Sequence, residues 1–254
     1  ARGRAPPRAA TLRGMRVAVL SDIHGNLPAL DAVLDALAPF DEVWVLGDIV
    51  GYGPEPNEVV ARLKQLRITA VRGNHDAAAI GALSTEAFND DARTAVEWTG
   101  EVLTPEAQRW LTDLPERATT EDFTLVHGSP RDPIWEYLFT VALARANLSA
   151  FDTPHCLVGH THVPLVFCDD AAGMQMLAPK PGVPLQADER RLILNPGSVG
   201  QPRDGDPRAC GMLLDTSQRT ATWQRVPYPI AEVQARMRKV DLPPRLVERL
   251  AHGL

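Results

Sequence analysis

Two histidines, His160 and His162, stand one residue apart in the segment GHTHVP at 159–164. They follow a short apolar run, and in a β-strand residues two positions apart point to the same side. Two imidazoles on one side of a strand end can share a metal ion, or they can form a polar edge that faces solvent. The pair alone does not separate these alternatives.

Similar groups of polar residues follow four earlier apolar segments: DIHGN at 22–26, GDIVGYGP at 47–54, GNHD at 73–76 and HGSP at 127–130. Each group contains glycine, which permits a sharp turn and a close approach of the backbone. In open α/β sheets, ligands bind beyond the carboxyl ends of the strands, so we expect the five groups to meet there.

Seven side chains in these groups can donate to a metal ion. One divalent ion bound by protein takes about four to six ligands, so seven donors favour two ions. Two ions ~3.5–4 Å apart need a bridging ligand, and Asp48, the lone donor after the second strand, is predicted to supply it. The seven donors are Asp22, His24, Asp48, Asn74, His127, His160 and His162.

The types of donor indicate which metals could bind, and the motifs must also be compared with an interpretation as turns that bind no metal. Mixed His, Asn and Asp donors suit Mn, Fe, Zn, Ni or Co better than Ca. Taken singly, DIHGN could be a turn that caps a helix and GNHD a tight turn in a loop. Five such groups at strand ends together favour a metal centre with two divalent transition-metal ions.

The elements that position these residues are predicted from the spacing of apolar residues. Buried strands are predicted at 16–20, 41–48 and 68–76, separated by helices at 28–38 and 56–66. This β-α-β-α-β order implies a parallel sheet with right-handed crossovers.

The remaining chain predicts a strand in FTLVHGSP at 123–130 and short strands over 155–226. Helix is predicted over 77–117, 134–150 and about 229–251. We therefore predict one domain, an α/β core with a second, more antiparallel sheet packed against it.

Composition excludes several classes of function. The net charge of −6 argues against a general nucleic-acid-binding surface. No apolar stretch approaches the ~20 residues needed to cross a bilayer. Cys156, Cys168 and Cys210 lack metal-type spacing, which predicts buried free thiols in a reducing cytosol and hence a cytoplasmic protein. No pattern indicates an oligomeric state.

Residues 1–14 differ from the rest, with four arginines (Arg2, Arg4, Arg8 and Arg13) and no acid. No apolar core follows the arginines, so the segment is not a secretory signal. We expect a disordered extension rather than a functional basic arm. Met15 is then expected to begin a single domain over 15–254, for whose activity the extension is dispensable.

The ordered motifs D-x-H, GD, GNH, H and GHxH resemble the calcineurin-like metallophosphoesterase superfamily, and the segment at 195–209 resembles its bacterial phosphodiesterase branch. The resemblance implies an α/β (α+β) fold, a four-layer α-β-β-α sandwich of two β-sheets flanked by helices. It places a dinuclear metal site at the carboxyl ends of the strands. One metal would be held by Asp22, His24 and His162, the other by Asn74, His127 and His160, with Asp48 as the bridge.

The same resemblance implies that His75 is a catalytic histidine near the leaving group and not a ligand. Two cations that share a water lower its pKa towards neutrality, which would give a metal-bridging hydroxide as the nucleophile. His75, in a turn fixed by Asn74, would act as general acid on the leaving alkoxide, worth typically ~10²–10⁴-fold.

Two further residues are candidate substrate contacts. Asn26 could donate to a phosphate oxygen, or it could cap the helix that begins near Pro28. Arg203 could clamp an anionic substrate, or it could be a solvated loop residue paired with Asp204 or Asp206.

Departures from the superfamily's protein phosphatases bear on the substrate. Those enzymes usually read GDxVDRG and GNHE, whereas this chain reads GDIVGYG and GNHD. Gly51 stands where their histidine-orienting aspartate would be, and Tyr52 replaces their phosphate-binding arginine. This favours a phosphodiesterase that acts on a small phosphate-ester or nucleotide-like substrate.

Two alternatives remain at this stage. One is a phosphomonoesterase, including a protein phosphatase. The other is a non-catalytic scaffold on the same fold, like the retromer subunit with a degraded metal site. All seven donors and His75 are present, which argues against the scaffold.

Overall fold

The computed structural model of the chain describes residues 14–120, 122–187 and 190–254. The extension predicted at 1–14 therefore lies outside the described residues, apart from Gly14. The first half alternates strands and helices as predicted. Its elements are β1 (Arg16–Leu20), α1 (Leu27–Leu37), β2 (Glu42–Leu46), α2 (Pro56–Leu63), β3 (Ile68–Val71), α3 (Asn74–Ala79), α4 (Asp90–Val102), α5 (Pro105–Thr112), β4 (Arg117–Thr119) and β5 (Phe123–Val126).

The second half consists mostly of short strands, followed by helix. None of the described helices is both long and apolar enough to cross a membrane. The elements are α6 (Val141–Asn147), β6 (His155–Leu157), β7 (Leu165–Asp170), β8 (Gly173–Leu177), β9 (Leu185–Gln186), β10 (Arg191–Asn195), β11 (Ala209–Asp215), β12 (Thr220–Val226), α7 (Ile230–Lys239) and α8 (Pro244–Arg249).

Two predicted helices are shorter than expected. The helix predicted over 134–150 begins only at Val141, because the Asp132 carboxylate accepts from the amides of Ile134 and Trp135 and holds a turn there. The helix predicted over 229–251 is divided into α7 and α8. The division precedes two successive prolines, which have no amide hydrogen to continue a helix.

The strands form two six-stranded sheets. Their orders are β3-β2-β1-β11-β12-β9 and β4-β5-β6-β10-β7-β8. The predicted parallel pairing of β1, β2 and β3 is confirmed. The second sheet is not the more antiparallel one, because among the described strands each sheet has two parallel and three antiparallel pairs. The late strands β11 and β12 extend the first sheet, and they add its antiparallel pairs.

Alternating burial along the strands produces four layers. In β1, Ala18 and Leu20 pack against a cluster that includes residues of the outer helices. Val17 and Val19 face the other sheet and belong to the cluster between the two sheets. On the far side, Val126 and Ile193 share a third cluster with residues of α6. The predicted four-layer α-β-β-α sandwich is therefore confirmed.

The core between the sheets contains the two largest fully buried side chains among the described residues, Trp44 and Trp223. The indole Nε1 of Trp223 in β12 donates to the backbone oxygen of Asn195 in β10, at 2.8 Å. This bond links the two sheets directly. The three cysteines are free and buried, as predicted.

We predict that Trp223→Phe destabilises the protein. The substitution removes the only N–H of the indole and leaves the Asn195 carbonyl without this donor, while a smaller ring fills the same space. The free energy of unfolding should fall by about 2 kcal/mol or more, measured by urea denaturation. Trp98→Phe, on the half-buried face of α4, is the control and should cost less than about 1 kcal/mol. Equal losses for the two variants would contradict the linking role of Trp223.

Candidate metal centre

The loops that follow the strand ends bring all seven predicted donors together in a buried region. Each of the seven side chains is at most 3% exposed. Five have a positive φ, between 49° and 64°, a region that residues other than glycine rarely adopt. Such conformations persist only where the surrounding contacts enforce them, and they concentrate at functional sites. The five are Asp22, His24, Asp48, His160 and His162.

The first cluster of donors contains Asp22, His24, His162 and Asp48. The Nε2 atom of His162 lies 3.2 Å from Asp22 Oδ1. It also lies 3.2 Å from Nε2 of His24. His24 Nε2 is 3.6 Å from Asp48 Oδ2. These four donor atoms all lie within 4.8 Å of one another, as the ligands of a single ion would.

The second cluster contains His127, His160 and Asp48. His127 Nε2 lies 3.4 Å from Asp48 Oδ2 and 3.0 Å from Nδ1 of His160. The side-chain oxygen of Asn74 is also 3.0 Å from His127 Nε2, so Asn74 joins this cluster. The division into two groups is the one that the resemblance implies.

Asp48 belongs to both clusters. Its Oδ1 accepts the backbone amide of His75 at 2.9 Å, which leaves Oδ2 between His24 and His127. A β-carbon on Gly73 would lie 2.1 Å from Asp48 Oδ1. Only glycine therefore allows the third strand end to approach this carboxylate so closely.

Three of the four histidines are oriented by backbone carbonyls. The outer nitrogen, Nδ1, of each ring donates to a carbonyl oxygen, so Nε2 faces inward, with a free lone pair whenever the ring is neutral. Such outer bonds are typical of metal-binding histidines. The pairs are His24 with Val50 at 3.2 Å, His127 with Leu46 at 2.8 Å and His162 with Gln201 at 2.6 Å.

This arrangement fits a cation better than it fits a purely polar core. The inward lone pairs of His24 and His162 face each other at 3.2 Å, which is unfavourable unless a cation lies between them. Asp22 Oδ1 is buried and accepts no hydrogen bond from the described residues. A buried, unpaired carboxylate oxygen is costly. The residues therefore fit a divalent ion, and mixed N and O donors suit transition metals.

The charges of the site are strongly coupled. Burial lowers the pKa of His24 well below its usual value, and it also lowers the pKa of His162, helped by the charge of Arg203. Burial opposes ionisation of Asp48, yet His127 and then His75 hold its pKa well below the usual range. Burial also opposes protonation of His127, but the charge of Asp48 raises its pKa to about 9. The centre thus pairs an ionised Asp48 with neutral rings in the first cluster.

His75 lies beside the clusters and belongs to neither. Its ring packs against Tyr52 at 4.3 Å between centroids, and against His24 and Phe88 at 4.9 Å each. Its Nδ1 has no hydrogen-bond partner among the described residues. A β-carbon on Gly51, whose φ is +87°, would lie 2.6 Å from that nitrogen. Ring packing therefore orients His75 where the related phosphatases use an aspartate.

Asp76 has a structural role that the sequence did not reveal. One oxygen accepts the amides of Ile49 and Val50, and the other accepts the amide of Gly73. The carboxylate therefore ties the loop after β2 to the start of α3. Burial, and next the charge of Asp48, raise the pKa of Asp76 to about 7, against the lowering effect of its amide donors.

The segment NPGSVG at 195–200 supports the centre from behind. The Asn195 side chain donates to the Gly159 carbonyl at 2.7 Å and to Thr161 Oγ1 at 3.0 Å. The Ser198 hydroxyl donates to the backbone oxygen of Asp22 at 2.8 Å. These bonds hold the GHTH loop against the loop after β1. In the sequence, this supporting role was indicated only by the resemblance of residues 195–209 to the bacterial phosphodiesterase branch.

The structure places the two candidate substrate contacts differently. The Asn26 oxygen caps α1 by accepting from Ala29 at 3.2 Å, and its amide donates to Gly200 at 3.0 Å. The capping alternative is thus observed, and a substrate contact by Asn26 stays a prediction that would compete with both bonds. Arg203 lies over the Tyr52 ring, with 5.7 Å between the guanidinium carbon and the ring centroid.

The expected alternative for Arg203, a pair with a neighbouring acid, is not found among the described residues. Asp204 pairs with Arg225, and Asp206 pairs with Arg208 at 2.6 Å. The guanidinium of Arg203 instead donates to the side-chain oxygen of Gln201, at 2.8 Å from Nη2. Its charge therefore faces the site without a carboxylate partner.

Comparison with known protein families identifies the superfamily of the chain. A family model described as the calcineurin-like phosphoesterase superfamily domain matches residues 15–219. The chain therefore belongs to the calcineurin-like phosphoesterase superfamily, as its motifs indicated. The matched range includes all seven predicted donors and His75.

Individual relatives cover most of the chain. An uncharacterized protein of Methanocaldococcus jannaschii is 37% identical over 93% of this chain and 98% of its own length. The phosphodiesterase YfcE of Escherichia coli is 28% identical over 78% of this chain and 87% of its own length. The crystal structure of a metallophosphoesterase from Sphaerobacter thermophilus is 47% identical, with a TM-score of 0.88, over 95% of this chain and 100% of that chain.

We predict that the protein binds about two divalent ions per chain and that Asp48 is needed for both. After loading with Mn²⁺ and removal of free metal, elemental analysis should give about two ions per wild-type chain. His162→Ala and His160→Ala should each retain about one, because each belongs to a different cluster. Asp48→Ala should retain less than either.

His252→Ala is the control, since this exposed histidine lies outside both clusters and should leave the metal content unchanged. A wild-type protein with a single ion, or an Asp48→Ala variant that keeps two, would contradict the shared centre.

Proposed function

We propose that this member of the calcineurin-like phosphoesterase superfamily is a metal-dependent phosphodiesterase. It hydrolyses a small phosphate-ester or nucleotide-like substrate, with His75 as general acid and with Asp22, His24, Asp48, Asn74, His127, His160 and His162 as metal ligands. Its metals are divalent ions of Mn, Fe, Zn, Ni or Co, the class that mixed nitrogen and oxygen donors prefer.

One observation carries the proposal: a single carboxylate, Asp48, joins the two donor clusters and also anchors His75. Its Oδ2 faces both clusters, and its Oδ1 accepts the His75 amide. The proton donor is therefore fixed relative to the metal ligands by one hydrogen bond. A structural polar core would have no reason to hold an imidazole whose buried Nδ1 has no hydrogen-bond partner among the described residues.

The metal ions would supply Lewis-acid chemistry when bound, since divalent cations acidify water and offset the charge of a phosphoryl group. The protein's own contribution is to place donors and exclude water. The ligand atoms are buried, which strengthens electrostatic interactions with a phosphate. The three carbonyl-anchored rings hold their inward nitrogens fixed before any substrate binds.

His75 is suited to a proton-transfer role by its position and its lack of partners. It belongs to neither cluster of possible metal ligands. Burial lowers the pKa of His75 to about 4 in this structure, against the charge of Asp48. A phosphate anion beside the ring favours the charged form and raises the pKa again. The ring is thus mostly unprotonated at neutral pH until the substrate arrives.

A diester is favoured over a monoester by the environment of Tyr52. Its ring packs edge-on against His24, with 4.6 Å between centroids, in place of the arginine that the related protein phosphatases carry. A monoester dianion needs more positive charge than a diester monoanion. The relative named as a phosphodiesterase is consistent with this choice, and Arg203 offers one cation to the substrate from above Tyr52.

The proposal also includes a cytoplasmic location, supported by three free buried thiols, which are common in a reducing compartment.

The direct test is hydrolysis by the metal-loaded protein. We expect kcat/KM for bis-p-nitrophenyl phosphate to exceed that for p-nitrophenyl phosphate by about 10-fold or more, a difference of about 1.4 kcal/mol in the barrier. Asp48→Ala, prepared in the same way, controls for contaminating phosphatases and should show no activity. Faster hydrolysis of the monoester would favour a phosphomonoesterase. No hydrolysis of either ester by the fully loaded protein would favour the scaffold alternative.

We predict that His75→Ala retains both metal ions but lowers kcat for alkyl phosphodiesters by ~10²-fold or more. The loss should shrink for p-nitrophenyl esters, because a stable phenolate needs little protonation. The measurement is kcat for His75→Ala across diesters whose leaving groups differ in pKa, together with metal content.

Asn74→Ala is the matched comparison, since it changes the neighbouring residue, which belongs to the second cluster. It should lose part of the metal and reduce the rate equally for all leaving groups. The general-acid role would be wrong if His75→Ala lost metal, or if its loss of rate did not depend on the leaving group.

A further inference from the structure

A cleft of about 560 Å³ lies beside the metal centre. This volume is within the range of about 300–1,000 Å³ that is typical of small-molecule sites. Tyr52 and Arg203 line the end that adjoins the centre, since Tyr52 also contacts His24 and His75. The other lining residues come from α4 and its N-cap, from α8 and from the segment after α8.

Three arginines line this cleft, and none of them forms an ion pair with a carboxylate side chain in the described part of the chain. Arg203 donates to the neutral Gln201. Arg249 donates through Nε to the backbone oxygen of Leu254. The guanidinium of Arg245 has no hydrogen bond or ion pair to any described residue, and it is exposed to the cleft.

The arginines are close enough to affect one another. Burial, followed by the charge of Arg203, lowers the pKa of Arg249 to about 10, and Arg245 lowers it further in the same direction. Arg249 nevertheless stays charged at neutral pH. The carboxylates of Asp91 and Glu248 also line the cleft, and the charge of Asp91 opposes the lowering of the Arg249 pKa.

Arginines that are held together and not paired directly with a carboxylate side chain favour the binding of an anion. Guanidinium groups suit phosphate in particular, because they present several donors in a planar fork. Arg245 and Arg249 line the cleft and belong to neither donor cluster, so an anion that they hold would lie in the cleft. It would therefore be a different group from the phosphoryl group at the metal centre.

We propose that Arg245 and Arg249, together with Arg203, form a subsite for a second phosphate group of the substrate. This inference rests on the proposed function and narrows it. The substrate class is then a phosphodiester that carries a further phosphate on the part of the molecule that does not leave, as a nucleotide with two separate phosphate groups does.

The test uses two substrates that differ only in that phosphate: thymidine 3′-(p-nitrophenyl phosphate) with and without a 5′-phosphate. The scissile bond, the leaving group and the base are identical. We expect the wild-type, metal-loaded enzyme to prefer the 5′-phosphorylated ester by about 10-fold or more in kcat/KM, the effect of one charge-assisted contact. The preference should weaken at high salt, which screens exposed charges.

The double variant Arg245→Ala/Arg249→Ala should lose most of this preference. The ratio of the two kcat/KM values does not depend on how much of the protein is folded, so a partly unfolded variant still gives an answer. Arg238→Ala, which removes an exposed arginine of α7 outside the cleft, should keep the wild-type ratio. A wild-type ratio near one, or an unchanged ratio in the double variant, would overturn the subsite.

A binding measurement separates this inference from the proposed function. Calorimetry should show that thymidine 3′,5′-bisphosphate binds the wild type about 10-fold more tightly than thymidine 3′-phosphate does, and that the double variant loses the difference. If this holds while neither ester is hydrolysed, the proposed function fails and the subsite stands. If both esters are hydrolysed but the two nucleotides bind equally, the subsite fails and the proposed function stands.

Discussion

The burial of two carboxylates against imidazole nitrogens is the constraint on which the rest of the structure depends. Asp22 and Asp48 are at most 1% exposed, and removing an ionised carboxylate from water is very costly unless a cation compensates it. The nearest rings of the first cluster, His24 and His162, cannot supply that charge easily, because burial lowers their pKa values. A divalent ion is the simplest compensation, and it also relieves the contact between their inward lone pairs.

The surrounding structure holds these groups in place before any ion binds. Left-handed backbone conformations at the donors cost free energy and persist only where other bonds enforce them. Asp76 provides two such bonds between the loop after β2 and the start of α3 and a third to the N-cap residue of α3. Asn195 and Ser198 brace the loops after β6 and β1. A rigid centre of this kind explains why His75, the proposed general acid, can be oriented by packing, since Gly51 lets its ring lie against fixed neighbours.

The sequence predicted the parts of the molecule that depend on local pattern. Donors directly after apolar strands had to meet, because parallel strands end at one edge, and the first three strands and the seven donors lie as predicted.

Pairing between distant segments was not predictable, so β11 was not expected beside β1. Asp76 directly follows His75, and neighbouring side chains usually diverge, so the sequence did not indicate its role. It lies in the first turn of α3, where its carboxylate turns back to cap the helix. Arg245 and Arg249 lie in α8, beyond the segments that carry the recognised motifs. Arginines are common in solvated helices, so only the folded chain shows that these two line the same cleft as Arg203.

The central claim is that Asp48 lies between two metal ions, and anomalous diffraction from crystals of the Mn²⁺-loaded protein tests it most directly. Two anomalous peaks ~3.5–4 Å apart are expected, both within coordination distance of the Asp48 carboxylate. One should lie among Asp22, His24 and His162, and the other among Asn74, His127 and His160. A single peak at full occupancy, or two peaks with the Asp48 carboxylate turned away from either, would contradict it.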